Sequence, residues 1–369
     1  MSLLGLLVFV MCNMNMALVV ERGSQTMTQP STMRRAWVVE ASSKPCPGQL
    51  GDLGVHDAAE AYSEQCTVDF ERIQIQTVPM PDVEPGRALV NVKWSSVNPC
   101  NWKAFQSNTG HDFGLGGDFS GIVVKVGRSC RFAPGDAVWG MSDSTYQEYI
   151  NVDCNPGAPV SKVPSGMSLQ QGGVLGVTGT TAYGSLTWGA NAPWDSSPTV
   201  LVLGGSGGTG HIGIQLAKAW GAGKVITTAS ANNTDFVKSV GADEVIDYHT
   251  ADWWKVLKPG SIDIIYDCVC LHGTGDHAYD VLADGGAFVT IQSQSEASPS
   301  KIQSRPSIKH LHHNGLPANS HELDDLSDLV VKGKLSSKID QVLPLDQVPK
   351  AFEKGMEGHT VGKLALQIS

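Results

Sequence analysis

The sequence predicts an α/β protein built around a parallel sheet, and three observations predict it. The stretch from Thr199 to Ala229 reads as strand, glycine turn, helix and second strand within about thirty residues. Short strand-like runs recur ahead of it from Arg72 to Trp94, at a spacing that suggests a compact β-rich domain. The chain also holds 41 glycines in 369 residues, well above the usual share of about 7%, which suits an α/β protein with many tight turns.

In chain order, Leu3 to Met11 is an apolar run, too short for a bilayer span of about twenty residues. It has the apolar character of a secretory signal, but no Lys or Arg precedes it. Gly23 to Arg35 is rich in Ser and Thr and lacks acids, as organelle transit segments do. A leader with no targeting role fits equally. The globular body is expected from Arg34, with a first strand through Glu40, and Ser42 to Cys66 reads as a surface insertion. Arg72–Val78 and Arg87–Trp94 read as strands joined by the turn-rich Pro79–Gly86. Ser168 to Trp188 reads as a helix.

Then comes the central unit. Val200-Leu201-Val202-Leu203 is short enough for a buried strand. The turn Gly204-Gly205-Ser206-Gly207-Gly208-Thr209-Gly210 follows, then a helical stretch from Ile212 to Trp220 closed by Gly221, and a second apolar run from Val225 to Thr228. Gly205 is expected to permit the turn, Gly207 to let the backbone approach a pyrophosphate, and Gly210 to pack helix on strand. The free N–H groups and positive end of the helix then face the phosphates. A dinucleotide is the ligand this context predicts.

Specificity is read after the second strand. NAD-preferring sites place a carboxylate there for the ribose 2′-OH, about twenty residues past the glycines. Here the residues are Thr228-Ala229-Ser230-Ala231-Asn232-Asn233-Thr234, with no carboxylate before Asp235. NADPH is therefore favoured; that Asp235 reaches the ribose, or that both cofactors bind, stays open. An NADPH enzyme draws on an intracellular pool, so cytoplasm, or an organelle reached through the leader, fits better than secretion.

Composition excludes other classes. Apolar residues make up 41% and charged residues 17%, a globular and not a disordered balance. A net charge of −10 argues against affinity for nucleic acid or anionic membranes. The 8 cysteines include no CxxC pair and no zinc-finger spacing, so reduced, mostly buried thiols are expected. Cys268 and Cys270 are expected to alternate along a strand.

Several blocks in order then carry a resemblance. They are Ser95-Ser96-Val97-Asn98-Pro99 with Trp102-Lys103, GxDxSGxVxxVG from Gly116 to Gly127, and FxxGDxVWG from Phe132 to Gly140. After them come GxTAY ending at Tyr183, the glycine turn, Gly241-Ala242-Asp243, Ile246-Asp247-Tyr248, Tyr266-Asp267-Cys268-Val269 and Gly362-Lys363. From about Arg34 to Ser369 the chain resembles the medium-chain dehydrogenase/reductase superfamily, in particular its zinc-free quinone oxidoreductase and enone (alkenal) reductase branch. The resemblance implies a Rossmann doubly wound parallel sheet plus a GroES-like β-rich catalytic domain. Its boundaries would be a leader at 1–33, the GroES-like domain at 34–165, the Rossmann domain at 166–319, and a C-terminal return to the catalytic domain at 320–369.

Zinc alcohol dehydrogenases of this superfamily place a Cys ligand where this chain has Asn98, and carry a four-Cys lobe that it lacks. His111, His272 and His277 have no matching Cys/Glu framework, and His310, His312 and His313 read as a polar loop. No metal is expected. Hydride from NADPH would go to a small-molecule electrophile, a quinone or an α,β-unsaturated carbonyl, and the charge developing on its oxygen needs a donor. The resemblance places Asn98 and Lys103 at that pocket: Lys103 to polarise the carbonyl or hold the nicotinamide ribose, Asn98 to orient either partner or merely to shape the loop before Pro99. It places Thr181 near the nicotinamide, Ser230, Asn233 and Tyr248 near the 2′-phosphate, and Val269 and Cys270 in the nicotinamide loop. The glycine-turn residues Gly205, Ser206, Gly207, Gly208, Thr209 and Gly210 would hold the pyrophosphate. Asn233 stands where many relatives have Lys, and Cys270 where they have Gly. Gln292 to Ser320, dense in Ser, Pro and His, departs from a region that shapes the substrate pocket and the edge of a homodimer in relatives. Two alternatives stay open: a stand-alone enoyl reductase of a polyketide or fatty-acid pathway, and a nucleotide-binding regulatory protein with little catalysis.

Overall fold

Strands with runs of buried residues, such as Arg87–Ser96, Asp118–Val126 and Ala137–Met141, build the first layer, and unbroken buried runs in Thr199–Leu203 and Lys224–Ala229 centre the second. In the computed structural model, residues 30–38, 70–107, 113–313 and 318–369 are described. Most of the expected leader, the insertion at Ser42 to Cys66, and His111 lie outside the described residues. From the N-terminus the strands are β1 (Thr32–Val38), β2 (Ile73–Pro79), β3 (Arg87–Ser96), β4 (Phe113–Gly114), β5 (Asp118–Val126), β6 (Ala137–Met141), β7 (Tyr149–Asp153) and β8 (Val160–Lys162). After β3 comes helix α1 (Pro99–Ser107), and after β8 helix α2 (Leu169–Gly184). The first strand thus starts two residues before Arg34, and the helix expected to Trp188 runs on past Gly184 as a π-turn, Ser185–Gly189.

The parallel sheet holds β9 (Thr199–Leu203), β10 (Lys224–Ala229), β11 (Glu244–Asp247), β12 (Ile262–Asp267), β13 (Leu282–Thr290) and β14 (Lys309–His312), with helix α3 (Gly210–Ala219) between β9 and β10. Its order is β11-β10-β9-β12-β13-β14. The chain moves outward from β9 to β11, then returns to the other flank of β9 with β12. A crevice opens where the order reverses, at the carboxyl ends of β9 and β12. Both faces of the sheet are covered: Val200 and Val202 belong to one apolar cluster and Leu201 and Leu203 to the other, as the unbroken apolar run requires.

The last strands, β15 (Ile339–Pro344) and β16 (Lys363–Gln367), join the N-terminal sheet, ordered β15-β16-β3-β5-β6-β8 with β7 also on β3. β16 runs antiparallel to β3, with Ala365 opposite Ser96. The C-terminal strand is thereby held beside the segment that follows β3. Tyr146, Phe119 and Phe352 fill the core of this layer. Thr32–Ser369 forms one unit.

Three expectations are corrected. The thiols are not all reduced, because Cys130 and Cys154 form a disulfide. Cys268 and Cys270 do not lie on a strand either: β12 ends at Asp267, whose carboxylate accepts the N–H groups of Val269 and Cys270 at 3.0 and 2.9 Å and folds the chain into a turn. His310 and His312 are likewise not loop residues but belong to β14, which pairs with β13. His313 is buried and reaches Ser185 Oγ at 3.2 Å.

Candidate active site

The glycine turn leaves β9 at Gly204, whose φ of +77° is the left-handed value that glycine accepts without strain. The tight conformation is therefore carried by Gly204, and Gly205 serves close packing: a Cβ there would lie 2.0 Å from Thr227 Oγ1. A Cβ at Gly210 would lie 2.1 Å from Gly204 O, so α3 can start this close to the strand only with glycine. Gly204 N donates to Thr228 Oγ1 at 2.9 Å and Gly207 N to Gly204 O at 3.0 Å, which fixes the loop. Thr209 precedes α3 without a side-chain cap. Among the described residues no backbone acceptor takes the N–H groups of Ser206, Gly208, Thr209 or Gly210. Unpaired N–H groups at a helix start suit an anion.

At the ends of the neighbouring strands, Ala229 pairs with Asp247, which makes Ser230 and Tyr248 neighbours. Asn233 Nδ2 donates to Ser230 Oγ at 3.1 Å, and Tyr248 is exposed beside the His249 ring. Asp247, at the end of β11, accepts from its own chain at His249 N, 3.0 Å. Across the crevice Val269 leans over Gly204. Cys270 has φ +64°, a left-handed conformation that explains why glycine suits the position. Its thiol is buried and points inward, Sγ donating to Asp267 O at 3.6 Å and lying 3.7 Å from Thr290 Oγ1. Burial and the Asp267 charge push the thiol up to about 12, so it stays protonated at neutral pH.

The opposite wall is the segment after β3. Asn98 is buried, and both ends of its amide are engaged. Nδ2 donates to Asp118 Oδ2 at 2.6 Å, and Oδ1 accepts from Lys363 Nζ. Asp118 also accepts from Ser96 Oγ and, at 2.5 Å, from Val177 N. Tyr146 Oη lies 3.0 Å from both Ser96 O and Asn101 Oδ1. Lys103 Nζ crosses the crevice to Gln292 Oε1 at 3.3 Å. Thr181 lies on α2 one turn beyond Thr178, whose methyl comes within 3.5 Å of the Cβ position of Gly208.

The structure thus brings the glycine turn, the Asp267–Cys270 turn, Asn98 and Lys103 to one crevice. Asp118 and Lys363 stood in the motif blocks and Thr178 did not, but none of the three was given a role from the sequence. A carboxylate opening the apolar strand β5 and an ammonium opening β16 were the available signals, because such charges are seldom buried without a partner. The donors around Asn98 suit an ammonium and not a zinc ion, which takes Cys, His and carboxylate. A cation at this amide would have to displace the Lys363 ammonium. Among the described residues no group of three or more His, Cys, Asp or Glu side chains is placed to hold a metal. An open cleft of about 650 Å³, lined by Tyr183, Trp220, Glu322 and Asp325, lies at the far end of α3 from the glycine turn. It holds none of the expected site residues except the neighbourhood of Thr181. Burial there, with Asp325 nearby, raises the Glu322 carboxyl to about 7.

Comparison with known proteins bears on the family and the fold. Residues 84–187 match the alcohol dehydrogenase GroES-like domain family, and residues 240–366 match the family described as zinc-binding dehydrogenase. The human mitochondrial NAD(P)H oxidoreductase RTN4IP1 is 30% identical over 342 residues, 79% of this chain and 85% of the relative. The 2-methylene-furan-3-one reductase of Solanum lycopersicum is 29% identical over 330 residues, covering 84% of this chain and 78% of the relative. Among solved structures, the quinone oxidoreductase from Coxiella burnetii superposes with a TM-score of 0.75 at 25% identity, over 92% of this chain and 100% of the other.

Proposed function

Because the chain belongs to the medium-chain dehydrogenase/reductase superfamily, on its zinc-free branch of quinone oxidoreductases and enone reductases, we propose that it is an NADPH-dependent, zinc-independent reductase of quinones or α,β-unsaturated carbonyl compounds. It is an oxidoreductase that uses a nicotinamide cofactor. The observation that carries the finer reading is the meeting, in one crevice, of a glycine turn with unpaired N–H groups and a wall of amide and ammonium donors.

When bound, the cofactor supplies hydride. The free N–H groups of Ser206, Gly208, Thr209 and Gly210 would hold its pyrophosphate. Ser230, Asn233 and Tyr248 form a polar rim with no free carboxylate, which tolerates a 2′-phosphate where an Asp would repel it. Thr181, Val269 and Cys270 bound the nicotinamide end. Because the Cys270 thiol points inward, the crevice above the loop stays open to the ring. Lys103, partly buried and bonded only to the neutral Gln292 Oε1, turns its Nζ–H toward the substrate oxygen and stabilises the charge that develops there. Asn98, with both amide ends occupied, shapes the wall and orients its neighbours. A conjugated acceptor spreads the charge hydride brings and needs only such donors, whereas an unactivated alcohol needs a Lewis acid or a positioned general base to take its proton.

The departure at Cys270 keeps the regulatory-protein reading as the alternative. Screening NADPH consumption by the full chain against quinones, short enals, enones and alcohols is the test. Turnover of quinones or enones is the expected result. Alcohol oxidation alone refutes the reading, activity confined to carrier- or CoA-bound enoyl groups moves it to the enoyl reductase, and silence on all of them to the regulatory protein. Among the described residues no helix is long and apolar enough to cross a membrane, and we place the reaction in an aqueous intracellular compartment. The leader would select an organelle, as the name of the mitochondrial human relative suggests.

A further inference from the structure

Lys363 joins the two walls of the crevice, and none of the expected roles uses it. It is buried, with a side chain 3% exposed. Its ammonium donates to Val97 O at 2.9 Å and to Asn98 Oδ1, and lies 3.8 Å from Asp118 Oδ2. The same two-residue stretch grips the other wall. Gly362 N donates to Ser206 O at 2.9 Å, and the Cβ position of Gly208 lies 3.1 Å from Lys363 Cδ and 3.3 Å from Gly362 O. Lys363 N donates to Lys338 O at 2.8 Å, so the clasp is anchored in its own sheet.

Burying an ammonium and a carboxylate is costly, and apolar replacements of such pairs are often as stable. Stability alone therefore gives little reason for a lysine here. Geometry gives one. Residues 362 and 363 hydrogen-bond Ser206 on one side and Val97 and Asn98 on the other; Val177 and Thr178 also reach both sides, but they meet the glycine turn only through a methyl contact. We propose that Lys363 is a positioning residue that sets the spacing between the glycine turn and the Val97–Asn98 wall, and that locks the Asn98 amide with its oxygen turned to the ammonium and its nitrogen to Asp118. This rests on the reductase reading, since the spacing matters because cofactor and acceptor must meet across it. A displacement of about 1 Å between reacting partners can cost on the order of 10²-fold in rate.

The rival assignment is direct contact with a ligand. Two of the three ammonium N–H groups are taken by Val97 and Asn98, and Asp118 is beyond hydrogen-bond distance from the third. That third N–H would suit a cofactor phosphate. The two roles separate in kinetics. In Lys363→Met, which keeps the stem and removes the charge, positioning predicts a kcat lower by roughly 10²-fold. NADPH Kd and acceptor KM should stay within about threefold of the parent. A rise in NADPH Kd of about tenfold or more with kcat retained would assign the ammonium to the phosphate and overturn the proposal, and so would unchanged kinetics.

Since Lys363→Met leaves Asp118 without its cation, the double variant Asp118→Asn/Lys363→Met is measured beside it. It removes both buried charges and should show the same kcat loss if positioning is the cause, and recovery if the defect was only the stranded carboxylate. Hydrogen exchange reads the clasp without any acceptor. In both variants, amides from Val97 to Asn101 should exchange at least about tenfold faster, while those of Val200 to Leu203 keep their protection. If the parent turns over no acceptor, the reductase reading fails and the exchange result alone decides the clasp. Unaltered exchange at Val97 to Asn101 rejects it.

Discussion

On the sheet side of the crevice the site is made of backbone: glycine conformations, unpaired N–H groups and a helix start, all within Gly204 to Gly210. On the facing wall it is made mainly of side chains drawn from separate places: Ser96 closing β3 and Asn98 after it, Asp118 opening β5 and Lys363 opening β16, joined by one backbone N–H from Val177 on α2. The difference has a physical origin. Backbone groups that bind phosphate need only a local chain conformation, so their signature is contiguous. Buried polar side chains need partners, and the partner of Asn98 lies 265 residues away. One wall is therefore robust to distant substitutions and sensitive to any added Cβ, and the other is the reverse.

The contrast breaks most sharply at Asp118. It is fully buried and accepts from Ser96, Asn98 and Val177. Asp118→Ala leaves those three donors without their acceptor and the Lys363 ammonium, 3.8 Å away, without its counter-charge, and should destabilise the protein by about 3–5 kcal/mol. Urea unfolding of the variant measures this. A loss under about 1 kcal/mol would mean that water replaces the carboxylate and the wall is not a closed network.

The second test uses acid and acts on the joint between the walls. His211 is buried on α3, with Nδ1 at Gly207 O, 2.8 Å, and Nε2 accepting from Lys338 N at 3.1 Å. Burial lowers the ring to about 4, with the Gly207 carbonyl opposing and the Lys363 charge adding to the effect. The folded form is thus neutral while the unfolded chain takes up a proton near 6.5. This contribution is complete above that pH, falls as pH drops, and reaches its full loss of roughly 3 kcal/mol near pH 4. The difference between parent and His211→Gln in urea midpoints from pH 7.5 to 4 isolates it. A pH-independent difference would show that the ring is hydrated or protonated in the folded protein.

The same contrast explains what could be read from the sequence. The parallel sheet and the glycine turn follow from periodicity and turn chemistry, which are local, whereas Ser230 and Tyr248 were associated only by the family resemblance. Gly204 taking the strained turn in place of Gly205 was invisible because φ is not written in composition; both are glycines. The turn at Cys268–Cys270 was misread as strand because Cys and Val favour strands, whereas the Asp267 carboxylate, by accepting two N–H groups, overrides that propensity. His310 and His312 looked like loop residues because histidine is polar, yet the edge strand β14 accommodates them beside Phe288 and Glu296. The roles of Asp118 and Lys363 stayed hidden because each has a purpose only beside partners that are distant in the chain, Asn98 above all.

A smaller effect is expected on the backbone wall, at its polar rim. Ser230→Asp places a carboxylate at the end of β10, next to Tyr248 and across from Asn233. NADPH should bind more weakly by about 1–3 kcal/mol through repulsion of its 2′-phosphate, with NADH unaffected or improved. Titrating both cofactors against intrinsic Trp fluorescence separates these outcomes. Equal or tighter NADH binding by the parent protein would remove the basis for preferring NADPH.

The smallest effect belongs to Cys270, and it distinguishes strain in the loop from crowding of the cofactor. Its φ of +64° costs a residue with a Cβ about 1 kcal/mol, and glycine would be free of that. Against this stand the lost burial of the thiol and the greater freedom of glycine in the unfolded chain. Cys270→Gly should therefore change stability by less than about 1 kcal/mol. Because Sγ is turned toward Asp267 and Thr290, inside the protein, removing it should leave NADPH affinity within about twofold of the parent. A tenfold gain in affinity would mean that the thiol swings out over the crevice in solution and narrows the seat of the nicotinamide. The backbone wall would then owe part of its selectivity to a side chain after all, and the division between the two walls would have to be redrawn at this residue.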